Sequence, residues 1–155
     1  MNQKFDHPLL VVNPLLLMAA AIVVTLLLGW LVPLPFFGDG PLRLVGAVMF
    51  IAAPILGFPA LRGMLTARTS PDPRQPTTAL VEGGTYKLTR NPMYLSMVIA
   101  YAGLFIFLQN LWFLPFVPVL VWLLTKWVIV PEERYLEQKF GSEYHNFVSR
   151  VPRWI

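Results

Sequence analysis

The chain has 155 residues, of which 56% are hydrophobic and only 13% are charged, and its formal net charge is +4. Soluble domains carry about 25% charged residues, so this composition excludes a soluble globular protein and predicts one integral membrane domain over residues 1–155. Loops that face anionic lipid headgroups explain the positive charge, and we expect no nucleic acid partner. The absence of cysteine excludes disulfides and thiolate metal sites, and the two distant histidines lack the spacing of a helical metal site. We therefore predict no metal.

The first two predicted spans are apolar runs separated by a turn. Residues 9–32 contain no charged side chain and exceed the about 20 apolar residues that cross a bilayer core. This run is also longer than the core of a signal peptide, so we predict a retained membrane helix. A turn rich in proline and glycine follows at 32–41. Residues 42–61 form the second predicted span, and Pro54 and Pro59 within it predict a bend near its cytoplasmic end.

Two further spans are predicted in the second half of the chain, at residues 93–108 and 111–130. Only Gln109 and Asn110 separate them, which favours an antiparallel helical hairpin. The sequence thus predicts an all-α membrane bundle of about four transmembrane helices.

The distribution of basic residues predicts the orientation of this bundle. Arg43 lies at one end of the predicted bundle of spans. Every other lysine and arginine lies at or beyond the opposite end. These residues are Lys4, Arg62, Arg68, Arg74, Lys87, Arg90, Lys126, Arg134, Lys139, Arg150 and Arg153. Because cytoplasmic loops of membrane proteins are enriched in lysine and arginine, we predict that both termini and the central loop are cytoplasmic.

Polar residues concentrate first in the loop that leads into the third span. Three prolines between residues 71 and 76 predict extended, non-helical backbone, and Gly83-Gly84 allows a tight turn or close approach to a ligand. Asn91 is expected to cap the third helix, and Pro92 suits its first turn. With Arg90 beside it, this helix start could bind an anion. The alternative is that Arg90 contacts lipid phosphate and Asn-Pro merely starts a helix.

The second polar segment follows the fourth span. Glu132 and Glu133 lie immediately beyond it, either as ligand-binding acids or as solvated acids that favour a first helical turn. The tail is predicted to be an amphipathic helical segment on the cytoplasmic face, broken at Gly141. Arg153 and Trp154 are interpreted as interfacial anchors. The apolar positions of the tail are Leu136, Phe140, Tyr144, Phe147 and Val151.

An anion-binding helix start and a pair of acids on the same face suit a zwitterionic ligand. The methionyl end of S-adenosylmethionine is one such ligand, but phospholipid headgroups and many metabolites share this chemistry. The residues alone leave these alternatives open.

Two stretches of sequence resemble a known family, and this resemblance favours one of these ligands. "LVEGGTYKLTRNPMYLSM" and the later "PEERYLEQKFGSEYHNFVSRVPRWI" resemble the bacterial branch of the isoprenylcysteine carboxyl methyltransferase and phospholipid methyltransferase superfamily. The resemblance covers about residues 70–155. It implies a cytoplasm-facing S-adenosylmethionine pocket in a protein of the bacterial inner membrane.

The resemblance also implies roles for individual residues. The "RNPxY" element and the preceding "Gly-x-Tyr" would bind the cofactor, with Gly84 allowing close backbone approach, and Glu132 and Glu133 would hold its amino or ribose groups. Arg90 and Glu133 are the candidates for a part in catalysis. The remaining cofactor-binding candidates are Tyr86, Asn91, Pro92 and Tyr94. Asn91 stands where the eukaryotic prenylcysteine enzymes have histidine, so it cannot carry a proton.

The implied acceptor is a lipophilic molecule or lipid in the membrane. Carboxyl O-methylation of an isoprenylcysteine-like or other small lipophilic substrate is the first reading, because a carboxylate needs no base and the sequence shows no dedicated one. The alternatives are N-methylation of a phospholipid amine, an NADPH-dependent reductase of the sterol type, whose C-terminal end the tail is also similar to, and a non-catalytic membrane subunit. The sequence does not determine the oligomeric state.

Overall fold

The computed structural model describes residues 7–8, 10–34 and 40–155. Lys4, Leu9 and part of the predicted turn, residues 35–39, lie outside that part. The described chain is all-α and contains no strand, which confirms the predicted fold class. Its helices are α1 (Pro14–Leu31), α2 (Pro41–Ala52), α3 (Pro54–Thr66), α4 (Pro92–Phe107), α5 (Phe113–Leu124), α6 (Val130–Phe140) and α7 (Ser142–Arg150). A short 3-10 turn, Gly84–Lys87, precedes α4.

Local sequence explains where most of these helices begin. Proline occupies the first helical position of four of them, where its missing N–H has no intrahelical partner to lose. These prolines are Pro14, Pro41, Pro54 and Pro92. At α1 the Asn13 side chain also accepts a hydrogen bond from the Leu15 N–H at 2.8 Å, which is the usual way to cap a helix.

Three of the predicted spans are confirmed as helices long and apolar enough to cross a membrane. They are α1, the α2–α3 pair (Pro41–Thr66) and the α5–α6 pair (Phe113–Phe140). The remaining one, α4, is apolar but has only 16 residues. At 1.5 Å per residue it is about 24 Å long, less than the bilayer core of about 30 Å.

The second span is divided into α2 and α3 near its middle, and both of the prolines expected to bend it lie after this point. The break lies at Ala53, just before Pro54, whereas Pro59 lies inside α3 without ending it. The Ser96 hydroxyl on α4 donates a hydrogen bond to the carbonyl of Ala53 at 2.8 Å. A neighbouring helix thus satisfies a backbone group at the break, as membrane helices require.

The fourth span continues without a break into the first part of the predicted tail. A π-helical turn, Thr125–Ile129, joins α5 to α6. Pro131 has no N–H to offer the carbonyl of Trp127, and that carbonyl instead accepts a hydrogen bond from the Val11 N–H at 3.1 Å. The predicted break at Gly141 is confirmed, because this residue has a φ of +52° between α6 and α7.

Helix α4 lies at the centre of the bundle and packs against α2, α3 and α5, while α1 packs against α5. The interior is formed by large apolar side chains, including Phe105, Leu120 and Leu124, all nearly inaccessible. Tyr101 on α4 hydrogen-bonds the Thr25 hydroxyl on α1 at 2.5 Å, so both buried hydroxyls are satisfied. The start of α4 meets the beginning of α6 at the hydrogen bond between Tyr94 and Glu132, where the predicted site lies.

Candidate functional site

A pocket of about 390 Å³ lies where the start of α4 meets the first turns of α6. Its volume falls within the range of about 300–1,000 Å³ typical of small-molecule sites. The end of α3, the start of α1, α7 and the loop over residues 71–81 complete its wall. Part of its lining is apolar, with Leu61, Met97 and Ile129 among these residues, and the rest is polar or charged. The pocket therefore suits an amphiphilic ligand.

The structure brings together seven of the eight residues predicted to bind a cofactor. The exception is Gly84, which does not line the pocket and has open space where a side chain would be. Its φ of +61° lies in the left-handed region, which favours glycine in this turn. The seven lining residues are Tyr86, Arg90, Asn91, Pro92, Tyr94, Glu132 and Glu133.

Glu133 lies between two arginines. Its Oε1 is 3.0 Å from Arg90 Nη1, and these two side chains are only 16% and 11% exposed, so bulk water screens the pair weakly. Arg153 donates two hydrogen bonds to the same carboxylate, from Nε at 3.0 Å and from Nη2 at 2.7 Å. Such a bidentate pair fixes the carboxylate in orientation as well as in charge.

Glu132 has a different environment, although it is the neighbouring residue. Its Oε2 accepts a hydrogen bond from the Tyr94 hydroxyl at 2.9 Å. Burial, and then the nearby Glu132 carboxylate, raise the pKa of the Tyr86 phenol, so Tyr86 stays protonated at neutral pH. The polar part of the pocket lining therefore presents a carboxylate beside two phenols.

Asn91 starts α4 by position, but its side chain does not cap the helix as predicted. Its amide Nδ2 donates to the backbone carbonyl of Arg153 at 2.9 Å instead. The carbonyl also accepts a hydrogen bond from the Thr89 hydroxyl at 3.0 Å. The capping prediction is wrong because the C-terminal residues return to this helix start and compete for the amide.

Three residues at this site escaped the sequence analysis. Arg153 was interpreted as an interfacial anchor, but it pairs with Glu133, and Trp154 donates from Nε1 to the Thr125 hydroxyl at 3.1 Å. The Tyr144 hydroxyl, on the apolar face of the tail, accepts a hydrogen bond from Arg90 at 3.3 Å. Burial, and then the charge of Glu133, raise the pKa of Tyr144 to about 12. Arg153 lies 20 residues from Glu133 in the sequence, so no local pattern signals their pairing.

The Arg90 side chain has a buried donor that no described residue satisfies. Its Nε is buried and has no hydrogen-bond partner among the described residues, although Nη1 contacts Glu133 and Tyr144. A buried guanidinium donor without a partner is unfavourable unless a ligand satisfies it. Arg90 therefore retains capacity for an anionic group, beside the N-terminal turn of α4.

The loop side of the pocket carries a further ion pair. The Asp72 carboxylate accepts hydrogen bonds from Arg74 Nε at 3.0 Å and Nη2 at 2.8 Å. These bonds lower the pKa of Asp72, so it is ionised at neutral pH. The loop is non-helical as predicted, and the Thr77 N–H donates to the Tyr135 hydroxyl on α6 at 3.1 Å, which holds the loop over the pocket.

The fold and this pocket together define a class: an all-α integral membrane protein with an ion-paired, amphiphilic pocket at one end of its bundle. The family model described as phospholipid methyltransferase matches residues 42–143, about two thirds of the chain. The chain therefore belongs to the phospholipid methyltransferase family, which confirms the resemblance inferred from its motifs.

The comparisons also find a small relative. An uncharacterized protein of Haemophilus influenzae is 33% identical over 63 residues, which cover 41% of this chain and 100% of the relative. No solved structure matches the chain.

Proposed function

We propose that this membrane methyltransferase-family protein transfers a methyl group from S-adenosylmethionine to a lipophilic acceptor resident in the membrane. The observation that supports it most is the convergence of Arg90, Tyr94, Glu132 and Glu133 on one pocket. Arg90 and Tyr94 precede α5 in the chain, whereas the two glutamates follow it, so only the fold joins them. Members of this family generally use S-adenosylmethionine.

The residues present fit that cofactor. Its carboxylate would find the unused Nε of Arg90, and its ammonium would find the carboxylate of Glu132. The phenols of Tyr86 and Tyr94 would supply hydrogen-bond donors for its ribose hydroxyls. The apolar part of the pocket lining would receive the parts of the ligands that carry no charge.

Methyl transfer from S-adenosylmethionine requires few catalytic groups from the protein. When bound, S-adenosylmethionine supplies a methyl group on a sulfonium, ready for in-line displacement by a nucleophilic acceptor. The pocket residues align the two ligands and exclude water from between them, and these effects can account for much of the rate enhancement. Neither Arg90 nor Glu133 needs to form a covalent bond, so we assign both to binding and orientation.

The first candidate acceptor is a carboxylate on an isoprenylcysteine-like or other small lipophilic molecule. A carboxylate is already ionised at neutral pH, so its methylation requires no base. Its negative charge would suit the side of the pocket where two arginines surround one glutamate.

A phospholipid amine is the second candidate acceptor. The description of the family favours it, and so does the environment of Glu132. An amine must lose a proton before or during methyl transfer, and the Glu132 carboxylate lies in the pocket with oxygen atoms able to accept one. In this reading Tyr94 orients that carboxylate through its hydrogen bond.

Calorimetric titration of the detergent-purified protein tests the cofactor. We expect heat of binding with S-adenosylmethionine and none with NADPH. The reverse result would favour a reductase of the sterol type, and no heat with either ligand would favour a non-catalytic membrane subunit.

Methyl-labelled cofactor tests the acceptor. The purified protein is incubated with labelled S-adenosylmethionine and a lipid extract of its host, and the labelled product is treated with mild base. A base-labile label identifies a methyl ester and hence a carboxylate, whereas a base-stable label on a headgroup nitrogen identifies an amine.

A further inference from the structure

The last residues of the chain form a strap across the start of α4. We define the strap as residues 151–154, which follow α7. The Arg90 N–H donates to the Pro152 carbonyl at 2.9 Å, in addition to the bonds that Thr89 and Asn91 make to the Arg153 carbonyl. The first strap residue, Val151, is buried with Tyr144 and Phe147 of α7.

These contacts fix the backbone of Arg153 at both ends of its peptide unit. On the C-terminal side, Trp154 is bonded to Thr125 in the π-helical turn that leads into α6. The strap is thus anchored to a π-helical turn, a feature that is frequent at functional sites. The Arg153 guanidinium, which pairs with the Glu133 carboxylate, therefore projects from a restrained backbone.

The charge balance at Glu133 shows what Arg153 contributes. One carboxylate lies between two guanidinium groups, which leaves an excess positive charge on this side of the pocket. Arg153 occupies both oxygens of Glu133, whereas Arg90 contacts Oε1 through Nη1 alone. Without Arg153, the carboxylate would be free to turn toward Arg90 and form a bidentate pair with it.

We propose that Arg153 is a positioning residue that holds Glu133 so that the Nε of Arg90 stays available to an anionic ligand group. This inference rests on the proposed function, because the anionic group is the carboxylate of S-adenosylmethionine. Arg153 acts through Glu133 and Arg90 and has no contact with the methyl group in this scheme. On this proposal the residues that shape the ligand-binding site include Arg153 of the strap as well as the "RNPxY" segment.

The test measures the affinity for S-adenosylmethionine by calorimetry in Arg153→Met and Arg153→Lys. We expect Arg153→Met to weaken binding about tenfold, the effect of losing one charge-assisted interaction. Arg153→Lys should recover part of the loss, because it restores the charge without the bidentate geometry. Arg150→Met is the matched control, since Arg150 pairs with Glu82 at 2.8 Å on the exposed surface and should bind as the wild type does.

A second measurement separates positioning from a purely structural role. In a Glu133→Gln background, Arg153→Met should cause little further loss of affinity, because the residue through which it acts is already altered. The same two changes should also be non-additive in thermal unfolding without ligand, a readout that does not depend on the cofactor. Independent losses of affinity would overturn the inference.

The outcomes also distinguish this inference from the proposed function. Wild-type protein that fails to bind S-adenosylmethionine would overturn both. Wild-type binding together with unchanged affinity in Arg153→Met would overturn the positioning role alone. A lower unfolding temperature in Arg153→Met with unchanged affinity would show that the strap only stabilises the fold.

Discussion

Glu132 and Glu133 show how neighbouring residues acquire different roles. Successive side chains on an α-helix point about 100° apart, as its 3.6 residues per turn require. Glu133 therefore points to the two arginines, and Glu132 to the Tyr94 hydroxyl. Of these two acids, Glu132 is the one whose carboxylate pairs with no cation among the described residues, so it is better suited to a positively charged ligand group.

This difference predicts that Glu132→Gln weakens the binding of S-adenosylmethionine by about tenfold or more, as expected for loss of a charged hydrogen-bond partner. Glutamine can still accept the hydrogen bond from Tyr94, so the pocket should keep its shape. Tyr94→Phe should have a smaller effect, because it leaves the charge in place. Calorimetric titration of each purified variant measures both effects.

The matched control is Glu137→Gln, on the same helix. Glu137 is 52% exposed and pairs with His145 at 3.3 Å, away from the pocket lining. Equal affinities for Glu132→Gln and Glu137→Gln would contradict the assignment of Glu132 to cofactor binding.

At the scale of helices, α4 is positioned by a close approach to α2. A Cβ atom added to Gly103 would lie 2.6 Å from the Phe50 nitrogen and 2.9 Å from the Gly46 oxygen, both backbone atoms. Small residues allow membrane helices to pack this closely, and van der Waals contact then holds them together. The register of α4 matters for function because its first turn carries Asn91, Pro92 and Tyr94.

Gly103→Ala should therefore lower the stability of the bundle by about 1–3 kcal/mol, the usual cost of overpacking. Alanine has a higher helix propensity than glycine, and this alone would make the variant more stable. The expected loss of stability therefore has the opposite sign. Thermal unfolding in detergent measures the difference. Gly63→Ala is the control, because its added Cβ would meet only a valine side chain at 3.3 Å. Identical unfolding of the two variants would show that the α2–α4 contact has room to adjust.

The helices themselves were predictable because their signals are local. Proline at first helical positions, glycine at position 141 and long apolar runs each act within a few residues. The continuation of the fourth span through Pro131 was not predictable, since it depends on a partner for the Trp127 carbonyl that lies at Val11, far away in sequence. The break at Ala53 likewise involves Ser96 on another helix.

The sequence predicted most of the residues that line the site, but it did not predict the contacts between them. The motifs identified eight residues, and all of them except Gly84 line one pocket. The pairing of Glu133 with Arg153, and the bond from Asn91 to the Arg153 carbonyl, require the strap to return across α4. Such returns depend on tertiary packing, which the spacing of residues does not encode.

For the whole molecule, the length of the helices places the pocket at one end of the membrane. The α2–α3 and α5–α6 pairs have 26 and 28 residues, or about 39 and 42 Å at 1.5 Å per residue. Both exceed the bilayer core of about 30 Å, so a helix pair that crosses without tilt extends beyond the core. The pocket lies at Leu61 and Glu132, the 21st and 20th residues of these pairs, or about 30 Å along each at 1.5 Å per residue. A water-soluble cofactor would reach it without entering the lipid.

The opposite end of the bundle carries Arg43, whose Nη2 donates to the Gln109 side chain at 2.6 Å. The other described lysines and arginines lie between residues 62 and 90, from the end of α3 to the start of α4, or between residues 126 and 153, from the π-helical turn to the strap. By the positive-inside rule we propose that the pocket end and both termini face the cytoplasm.

Single-cysteine labelling tests this orientation, and the absence of native cysteines removes background reaction. Leu108→Cys reports the end with Arg43, where Leu108 is 46% exposed, and Glu137→Cys reports the pocket end. In intact spheroplasts a membrane-impermeant maleimide should label Leu108→Cys and spare Glu137→Cys, because the reagent reaches only the outer face. After permeabilisation both should react, which controls for accessibility. Labelling of Glu137→Cys before permeabilisation would place the pocket outside the cytoplasm, where S-adenosylmethionine would not reach it.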